Sequence, residues 1–344
     1  MRMTSRLIPS AALLMALGVG LDARAERPAA FADIARKKPD VTIVVTDSGL
    51  GGLSVAADLA ARLPASGIVR SARIVFVNAE PDVAFGYNDM KREADKVRVF
   101  DGALATMEAR YKPDLILIAC NTLSVVYPGT AHAKKGRTET VEIVGLGADL
   151  IRRELAAKPD ATAIVFATKT TIESGAHKKL LVEKGVPADH VVGEACPRLA
   201  GAIERGSASE ETVAYVKKFV AEALEKKPAK GGPLVVSLNC THFGYVKPLW
   251  EQAFAAAGYR GMKILDPNSL MTDLVLREGG EKRFPKTAVT VEAVSKVPID
   301  EATRANLGAL LRTTSPKTAE ALAHIRHEPA LFPAVVDPAA VIAR

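Results

Sequence analysis

The sequence has few cysteines and few aromatic residues: three cysteines, one tryptophan and 5% aromatics in 344 residues. Structural disulfides come in pairs, so any disulfide in this chain leaves one thiol over. There is no C-x-x-C and no pair of histidine or acidic residues at metal-ligand spacing, so nothing supports a thioredoxin-like redox site or a zinc ribbon. No lysine is marked as a pyridoxal anchor. We therefore expect no metal and no cofactor, and the thiols are candidates for chemistry.

Clustered positive charge is also missing. The net charge is +7, but the lysine and arginine residues are spread along the chain without interleaved aromatic residues. This pattern favours a generally basic surface over a nucleic-acid patch, and it is compatible with a small anionic substrate. We expect no nucleic-acid partner.

Long apolar runs are confined to the first 25 residues. A basic start is followed by "LIPSAALLMALGVGL" and by the small residues of "ARA" at 23–25, which is the layout of a secretory signal peptide. The alternative is a membrane anchor, but Pro9 and Ser10 interrupt the run, and it is shorter than the ~20 residues that a span needs. We predict a signal peptide over residues 1–25, an exported, periplasmic protein, and no membrane association after cleavage.

Apolar segments alternate with helical stretches rich in Ala, Lys and Glu along the rest of the chain. The segments predicted as strands are 41–49, 72–78, 113–121, 140–147, 160–169, 189–196, 233–241 and 262–267. This alternation is typical of α/β proteins, in which mainly parallel sheets are flanked by helices. Ligands of such sheets bind at the carboxyl ends of the strands, where Asp47, Cys120 and Cys240 lie.

Two segments repeat one pattern: "PDLILIACNTLSVVYP" at 113–128 and "PLVVSLNCTHFGYVKP" at 233–248. In each, a cysteine follows the first proline by seven residues and precedes the second by eight. The match predicts two pseudosymmetric α/β lobes, with one thiol from each at an active site in the cleft between them. We assign the first lobe to 38–143 plus 256–325, the second to 144–255, and a C-terminal tail to 326–344.

Two thiols on opposite sides of a cleft suit the inversion of a carbon centre. Removing the α-proton of an amino acid needs a base on one face, and returning it with inverted configuration needs an acid on the other. Free thiols titrate near ~8.5, so a thiolate and a thiol can hold these roles and exchange them. Asn121 and Thr122 follow the first thiol, and Thr241 and His242 follow the second. These pairs can cap the next helix or bind a substrate carboxylate.

Each of these features also has a plainer interpretation. A lone cysteine at a strand end is usually a small core residue. Asn-Thr and Thr-His after a strand are helix caps by default, and Asp47, Ser48 and Gly49 together are typical of a turn. The matched spacing of the two thiols favours the chemical interpretation.

Five segments of the chain resemble the signatures of the glutamate racemases, cofactor-independent members of the aspartate/glutamate racemase superfamily. They are "TDSGLGGLSV" (46–55), "ACNT" (119–122), "TKTTIESGAH" (168–177), "ACPRLAGAIERG" (195–206) and "CTHF" (240–243). The resemblance extends in order and spacing over about residues 41–270. It implies two pseudosymmetric α/β lobes, the interconversion of L- and D-glutamate, and a small anionic amino acid as substrate. The family feeds peptidoglycan synthesis and its members are often dimers, so a homodimer is a further expectation.

The resemblance also implies roles for individual residues. Cys120 and Cys240 are the expected catalytic acid/bases, with Asp47 assisting the first, and Glu204 and His242 assisting the second. The expected substrate-binding residues are Asp47, Ser48, Phe85, Gly86, Asn121, Thr122, Thr171, Thr241 and His242. Cys196 matches a structural position. In the loop after the second strand the family usually has P-Y-G, where this chain has Ala84, Phe85 and Gly86.

Two other functions remain open from the sequence. One is a racemase of aspartate or of a broader range of amino acids. The other is a periplasmic amino-acid-binding protein on the same fold, which would use Asp47, Asn121 and Thr241 as ligand contacts. A binding protein needs neither Cys120 nor Cys240, so the paired thiols favour the enzyme.

Overall fold

The structure is a computed structural model of the chain and describes residues 30–136, 138–228, 232–278, 280–333 and 341. The predicted signal peptide over residues 1–25 lies outside the described residues, as do residues 334–340 and 342–344 of the predicted tail. None of the helices in the described part of the chain combines the length and the hydropathy that a membrane span requires.

The strands belong to two parallel sheets. They are β1 (Asp40–Asp47), β2 (Ser71–Asn78), β3 (Leu115–Ile118), β4 (Glu139–Glu142), β5 (Thr162–Ala167), β6 (Val191–Ala195), β7 (Leu234–Asn239), β8 (Lys263–Leu265), β9 (Ala288–Ser295) and β10 (Arg326–His327). The first sheet has the order β10-β9-β2-β1-β3-β4, and the second has the order β6-β5-β7-β8. All of their pairings are parallel.

Helices connect and cover these strands. They are α1 (Ala30–Lys37), α2 (Leu53–Ser66), α3 (Glu93–Tyr111), α4 (Asn121–Val126), α5 (Ala131–Lys135), α6 (Ile143–Ala156), α7 (Lys169–Ser174), α8 (Ala176–Glu183), α9 (Leu199–Arg205), α10 (Glu210–Lys226), α11 (Lys247–Ala256), α12 (Asn268–Glu278), α13 (Glu301–Arg312) and α14 (Pro316–Ala323). The predicted α/β class, with parallel sheets flanked by helices, is confirmed.

Both faces of each sheet are buried, which explains the near-continuous apolar strands. In β1, Ile43 and Val45 pack into an apolar cluster with α2, α13 and α14, whereas Val44 packs into a second cluster with α3. In β5, Phe166 faces α10 and α11, and Val165 faces α6 and α8. Side chains alternate across a strand, so a strand covered by helices on both sides has no polar face.

Three predicted boundaries differ from the structure. Strand β8 pairs with β7 in the second sheet, although it falls within the predicted first-lobe segment 256–325. Strand β10, predicted as part of the tail, pairs with β9 in the first sheet. The predicted strand 140–147 ends at Glu142, because the Glu142 carboxylate accepts hydrogen bonds from the N–H groups of Val144 (2.7 Å) and Gly145 (3.1 Å) and so begins α6.

Candidate active site

The carboxyl ends of the two sheets meet. Asp47 ends β1, and Thr241 lies two residues after β7. The Thr241 hydroxyl donates a hydrogen bond to Oδ2 of Asp47 at 2.8 Å, and the backbone N–H of Leu50 donates to Oε1 of Glu204 at 2.8 Å. A third contact joins the lobes where Nζ of Lys96 donates to the Thr170 hydroxyl at 2.8 Å. The strand-end residues of both lobes therefore face one shared cleft.

A glycine allows the first lobe to approach the second this closely. A Cβ atom at Gly51 would overlap the Thr241 hydroxyl oxygen and would lie 2.6 Å from Nδ1 of His242. Contacts this short are not tolerated by real side chains. The loop after β1 thus needs a residue without a side chain where it contacts the second lobe.

The Cys120 thiol lies in a dry environment. The residue is 5% exposed, its Sγ accepts from the N–H of Leu123 at 3.4 Å, and the Ser48 hydroxyl lies 3.1 Å from Sγ. Burial raises the pKa of this thiol, the negative charge of Asp47 raises it further, and the hydrogen bonds from Ser48 and Leu123 only partly oppose the shift. Cys120 is therefore held as a neutral thiol, which is the acid form.

The Cys240 thiol has a cationic neighbour. Its Sγ lies 3.7 Å from Nδ1 of His242, and Nε2 of the same imidazole lies 2.6 Å from Oε1 of Glu204. Burial alone lowers the pKa of His242, but the hydrogen bonds with Cys240 and Glu204 outweigh it and raise the pKa well above its ordinary value. The imidazole of His242 therefore lies between the Glu204 carboxylate and the Cys240 sulfur.

The residues after Cys120 offer polar groups in the same cleft. Both amide atoms of Asn121 are buried, and neither has a hydrogen-bond partner among the described residues. The hydroxyl of Thr168 lies 2.7 Å from that of Thr122 and 3.0 Å from that of Thr171, which forms a row of hydroxyls across the two lobes. An unpaired buried amide costs about 1–3 kcal/mol, so the Asn121 amide is suited to a polar ligand.

Two further residues with raised pKa values lie at this edge. Glu80 follows β2, and burial together with the charge of Glu204 raises its pKa to about 8, although the Asn78 hydrogen bond and His242 oppose the shift. The buried Tyr87 hydroxyl has no hydrogen-bond partner within the described residues, and burial, with the nearby Cys120 and Glu80, raises its pKa well above the ordinary value. The strand-end rule that selected Asp47 also applies to Glu80.

The remaining predicted residues occupy these surroundings. Phe85 packs in the apolar cluster that contains Cys120 and Tyr87. Gly86 donates its N–H to Oδ2 of Asp89 at 2.8 Å. Cys196 is buried in the core of the second lobe, and all three cysteines are free thiols. The structure thus brings the predicted residues to one cleft, and their roles stay predictions.

Comparison with known proteins finds similarity to glutamate racemases. The chain is 29% identical to the glutamate racemase of Lysinibacillus sphaericus (strain C3-41) over 202 residues, which cover 58% of this chain and 69% of that protein. It is 27% identical to the glutamate racemase of Neisseria meningitidis serogroup B (strain ATCC BAA-335 / MC58) over 217 residues, 63% of this chain and 73% of that protein. A scan against models of protein families found no match. These similarities support an isomerase, an amino-acid racemase.

Solved structures of glutamate racemases share the fold. The enzyme of Francisella tularensis, solved in complex with D-glutamate, matches with a TM-score of 0.59 and 20% identity, over 80% of this chain and 95% of that one. The Escherichia coli enzyme, solved with L-glutamate and the activator UDP-MurNAc-ala, matches with a TM-score of 0.55 and 22% identity, over 80% and 96% of the two chains. The chain therefore shares the fold of these glutamate racemases.

Proposed function

We propose that the protein interconverts L- and D-glutamate by proton transfer between the substrate α-carbon and two thiols. The observation that carries the proposal is the unequal setting of Cys120 and Cys240. One thiol is buried beside Asp47 and held neutral, and the other contacts the His242–Glu204 pair. Two-base inversion requires one acid and one base at rest, and a neutral thiol paired with a thiol that contacts an imidazole supports this assignment.

The proposed reaction has two proton transfers. The Cys240 thiolate takes the α-proton, and the electron pair of the broken C–H bond is delocalised onto the substrate carboxylate. The Cys120 thiol then gives its proton to the opposite face of the planar carbon, which forms the other enantiomer and leaves Cys120 as thiolate. The reverse reaction uses the same groups in exchanged roles. Burial raises the pKa of Asp47, although His242 and Thr241 oppose the shift, and in its ionised form this carboxyl disfavours the thiolate of Cys120.

Substrate binding is proposed to use the polar groups between the thiols. The unpaired Asn121 amide can donate to a carboxylate and accept from an ammonium group. The hydroxyls of Thr122 and Thr171 lie 2.7 and 3.0 Å from that of Thr168, and the Thr241 hydroxyl donates to Asp47. A racemase of aspartate or of a broader range is the second candidate, since Phe85 replaces the family's usual tyrosine.

The test is proton NMR of the purified protein with L-glutamate in D₂O under reducing conditions, followed by L-aspartate and neutral amino acids. We expect the α-proton signal of L-glutamate to disappear as D-glutamate forms. Cys120→Ser and Cys240→Ser should each abolish inversion, and each should still exchange, slowly, the α-proton of the enantiomer that faces the remaining thiol. Cys196→Ala is the matched control and should retain inversion. If no amino acid exchanges its α-proton, the racemase proposal is wrong.

We also propose that the protein is exported to the periplasm, on the basis of the signal-peptide pattern in residues 1–25. Fractionation of a bacterial host that expresses the full chain, and a second chain without residues 1–25, tests this directly. The full chain should appear in the periplasm in a shortened form, and the truncated chain should stay in the cytoplasm. Recovery of the uncleaved full chain in the cytoplasm would contradict the proposal. Homodimer formation stays a prediction.

A further inference from the structure

Glu80 is fixed beside the catalytic cleft by its backbone. Asp47 at the end of β1 is in register with Asn78 at the end of β2. The N–H of Ala79 donates to the Asp47 carbonyl oxygen at 2.7 Å, and the N–H of Glu80 donates to Oδ1 of Asn78 at 3.0 Å. These bonds place Glu80 at the same sheet edge as Asp47, one strand further from the second lobe.

The Glu80 carboxyl group lies beside the loop at 84–86, because a Cβ atom at Gly86 would lie 3.9 Å from Oε1 of Glu80. It also lies within electrostatic range of the groups proposed to act on the substrate. The charges of Glu204, His242 and Asp47 affect its pKa, and Glu80 and Cys120 both affect the pKa of Tyr87.

The charges around Glu80 limit which substrate the cleft can hold. Three carboxyl groups lie within electrostatic range of the His242 imidazole: that of Glu204, which contacts it, and those of Asp47 and Glu80. Further charged groups near the loop are Asp89, Asp82 and Lys96. Asp89 accepts from the Gly86 N–H, the charge of Asp82 affects the pKa of Lys296, and Lys96 donates to the Thr170 hydroxyl. An acidic amino acid brings two further carboxylates, which repel an ionised Glu80 strongly at low dielectric.

We propose that Glu80 is a specificity-determining residue of the racemase site. While the Glu80 carboxyl group is neutral, the site admits amino acids with acidic side chains. Once the carboxyl group is ionised, the site rejects them relative to amino acids with cationic side chains. The inference rests on the proposed function. The pKa of about 8 means that the neutral form, which can donate a hydrogen bond to a substrate carboxylate, predominates at pH 7.

The experiment measures kcat and KM for L-glutamate and L-lysine between pH 7 and 9 in the wild-type protein and in Glu80→Gln. If only the neutral form binds L-glutamate, the wild-type KM should rise about tenfold over this range. Glu80→Gln cannot ionise, so its KM for L-glutamate should stay flat, and any preference for L-lysine at pH 9 should disappear. Glu80→Asp, which keeps a titrating group, should keep an alkaline rise in KM. The exposed Glu225→Gln, with the same charge change, should behave as wild type.

The outcomes separate this inference from the proposed function. If wild type racemises L-glutamate and Glu80→Gln shows the same alkaline rise in KM, the role of Glu80 is refuted and the racemase stands. If wild type racemises nothing, the proposed function fails. Calorimetric titration with L-glutamate at pH 7 and 9 then still tests Glu80, because the loss of affinity at pH 9 should be present in wild type and absent in Glu80→Gln. Equal affinity at both pH values in wild type would overturn the inference.

Discussion

Replacing Glu204 by glutamine tests the electrostatics of the Cys240 side of the cleft without changing its shape. A single oxygen, Oε1, accepts from both the Leu50 N–H at 2.8 Å and the His242 imidazole at 2.6 Å. The glutamine carbonyl oxygen can accept both bonds, so Glu204→Gln removes the charge and keeps the contacts. Any loss of activity therefore reports the charge of Glu204.

The expected loss follows from the strength of the bond. A hydrogen bond to a charged group contributes about 1.5–3 kcal/mol, against about 1 kcal/mol for a neutral one. With roughly 1.4 kcal/mol for each factor of ten, the difference of about 0.5–2 kcal/mol should lower kcat/KM by about twofold to thirtyfold. Since L- and D-glutamate have equal free energies in solution, the fall must be the same in both directions, which is an internal check on the assay.

The pH dependence should change as well. Glu204 is one of the groups that raise the pKa of His242 against the effect of burial. Without its charge the imidazole should lose its proton at lower pH, and the alkaline limb of kcat/KM should move down by roughly one pH unit or more. Circular dichroism of the forward and reverse reactions from pH 6 to 10 measures both effects. Glu211→Gln, which removes a surface carboxylate that pairs with Arg205, is the control and should change neither. Unchanged kcat/KM and an unchanged alkaline limb in Glu204→Gln would refute the reasoning.

Three further changes have defined outcomes. Gly51→Ala should lower kcat/KM by about a hundredfold or more, because the added Cβ pushes the lobes apart. Gly308→Ala is the matched change at a position where the added Cβ meets no neighbour, and it should stabilise α13 by about 0.5–1 kcal/mol in urea unfolding. Thr168→Val breaks the hydroxyl row with Thr122 and should raise KM for L-glutamate several-fold with little change in melting temperature; an unchanged KM would contradict a binding role. The raised pKa of Glu80 means that the folded protein keeps a proton that the unfolded chain has lost. The contribution of Glu80 to the free energy of unfolding should therefore be largest below about pH 4.5 and decline by roughly 5 kcal/mol at most as the pH rises to about 8, a decline that Glu80→Gln should remove.

The positions of the two thiols were predictable, because an apolar strand and its carboxyl end can be recognised in the sequence and parallel sheets bind ligands at that edge. The partners of each thiol were predictable only through the resemblance, since Glu204 lies far from His242 along the chain. Glu80 lies in a loop without a motif, and its raised pKa depends on burial and on the charges of residues elsewhere in the chain, such as Glu204. The sheet that β8 joins could not be predicted, because a three-residue strand at a sheet edge carries no signal for its partner. The end of β4 was detectable in principle, since Glu142 is an N-cap residue before a helical pattern.

The burial of the two sulfur atoms affects how fast the protein is inactivated by oxidation. Cys120 and Cys240 are 5% and 6% exposed, and oxidants attack thiolates that they can reach. In the oxidising compartment to which we propose that the protein is exported, oxidants therefore have little access to the two sulfur atoms while the lobes are in contact. Because both thiols are buried where the lobes meet, we expect the proposed substrate to reach them only when the lobes separate, and that opening would also admit peroxide. We expect the rate of oxidative inactivation to increase with the number of openings, so that the protein loses activity faster during turnover than without substrate.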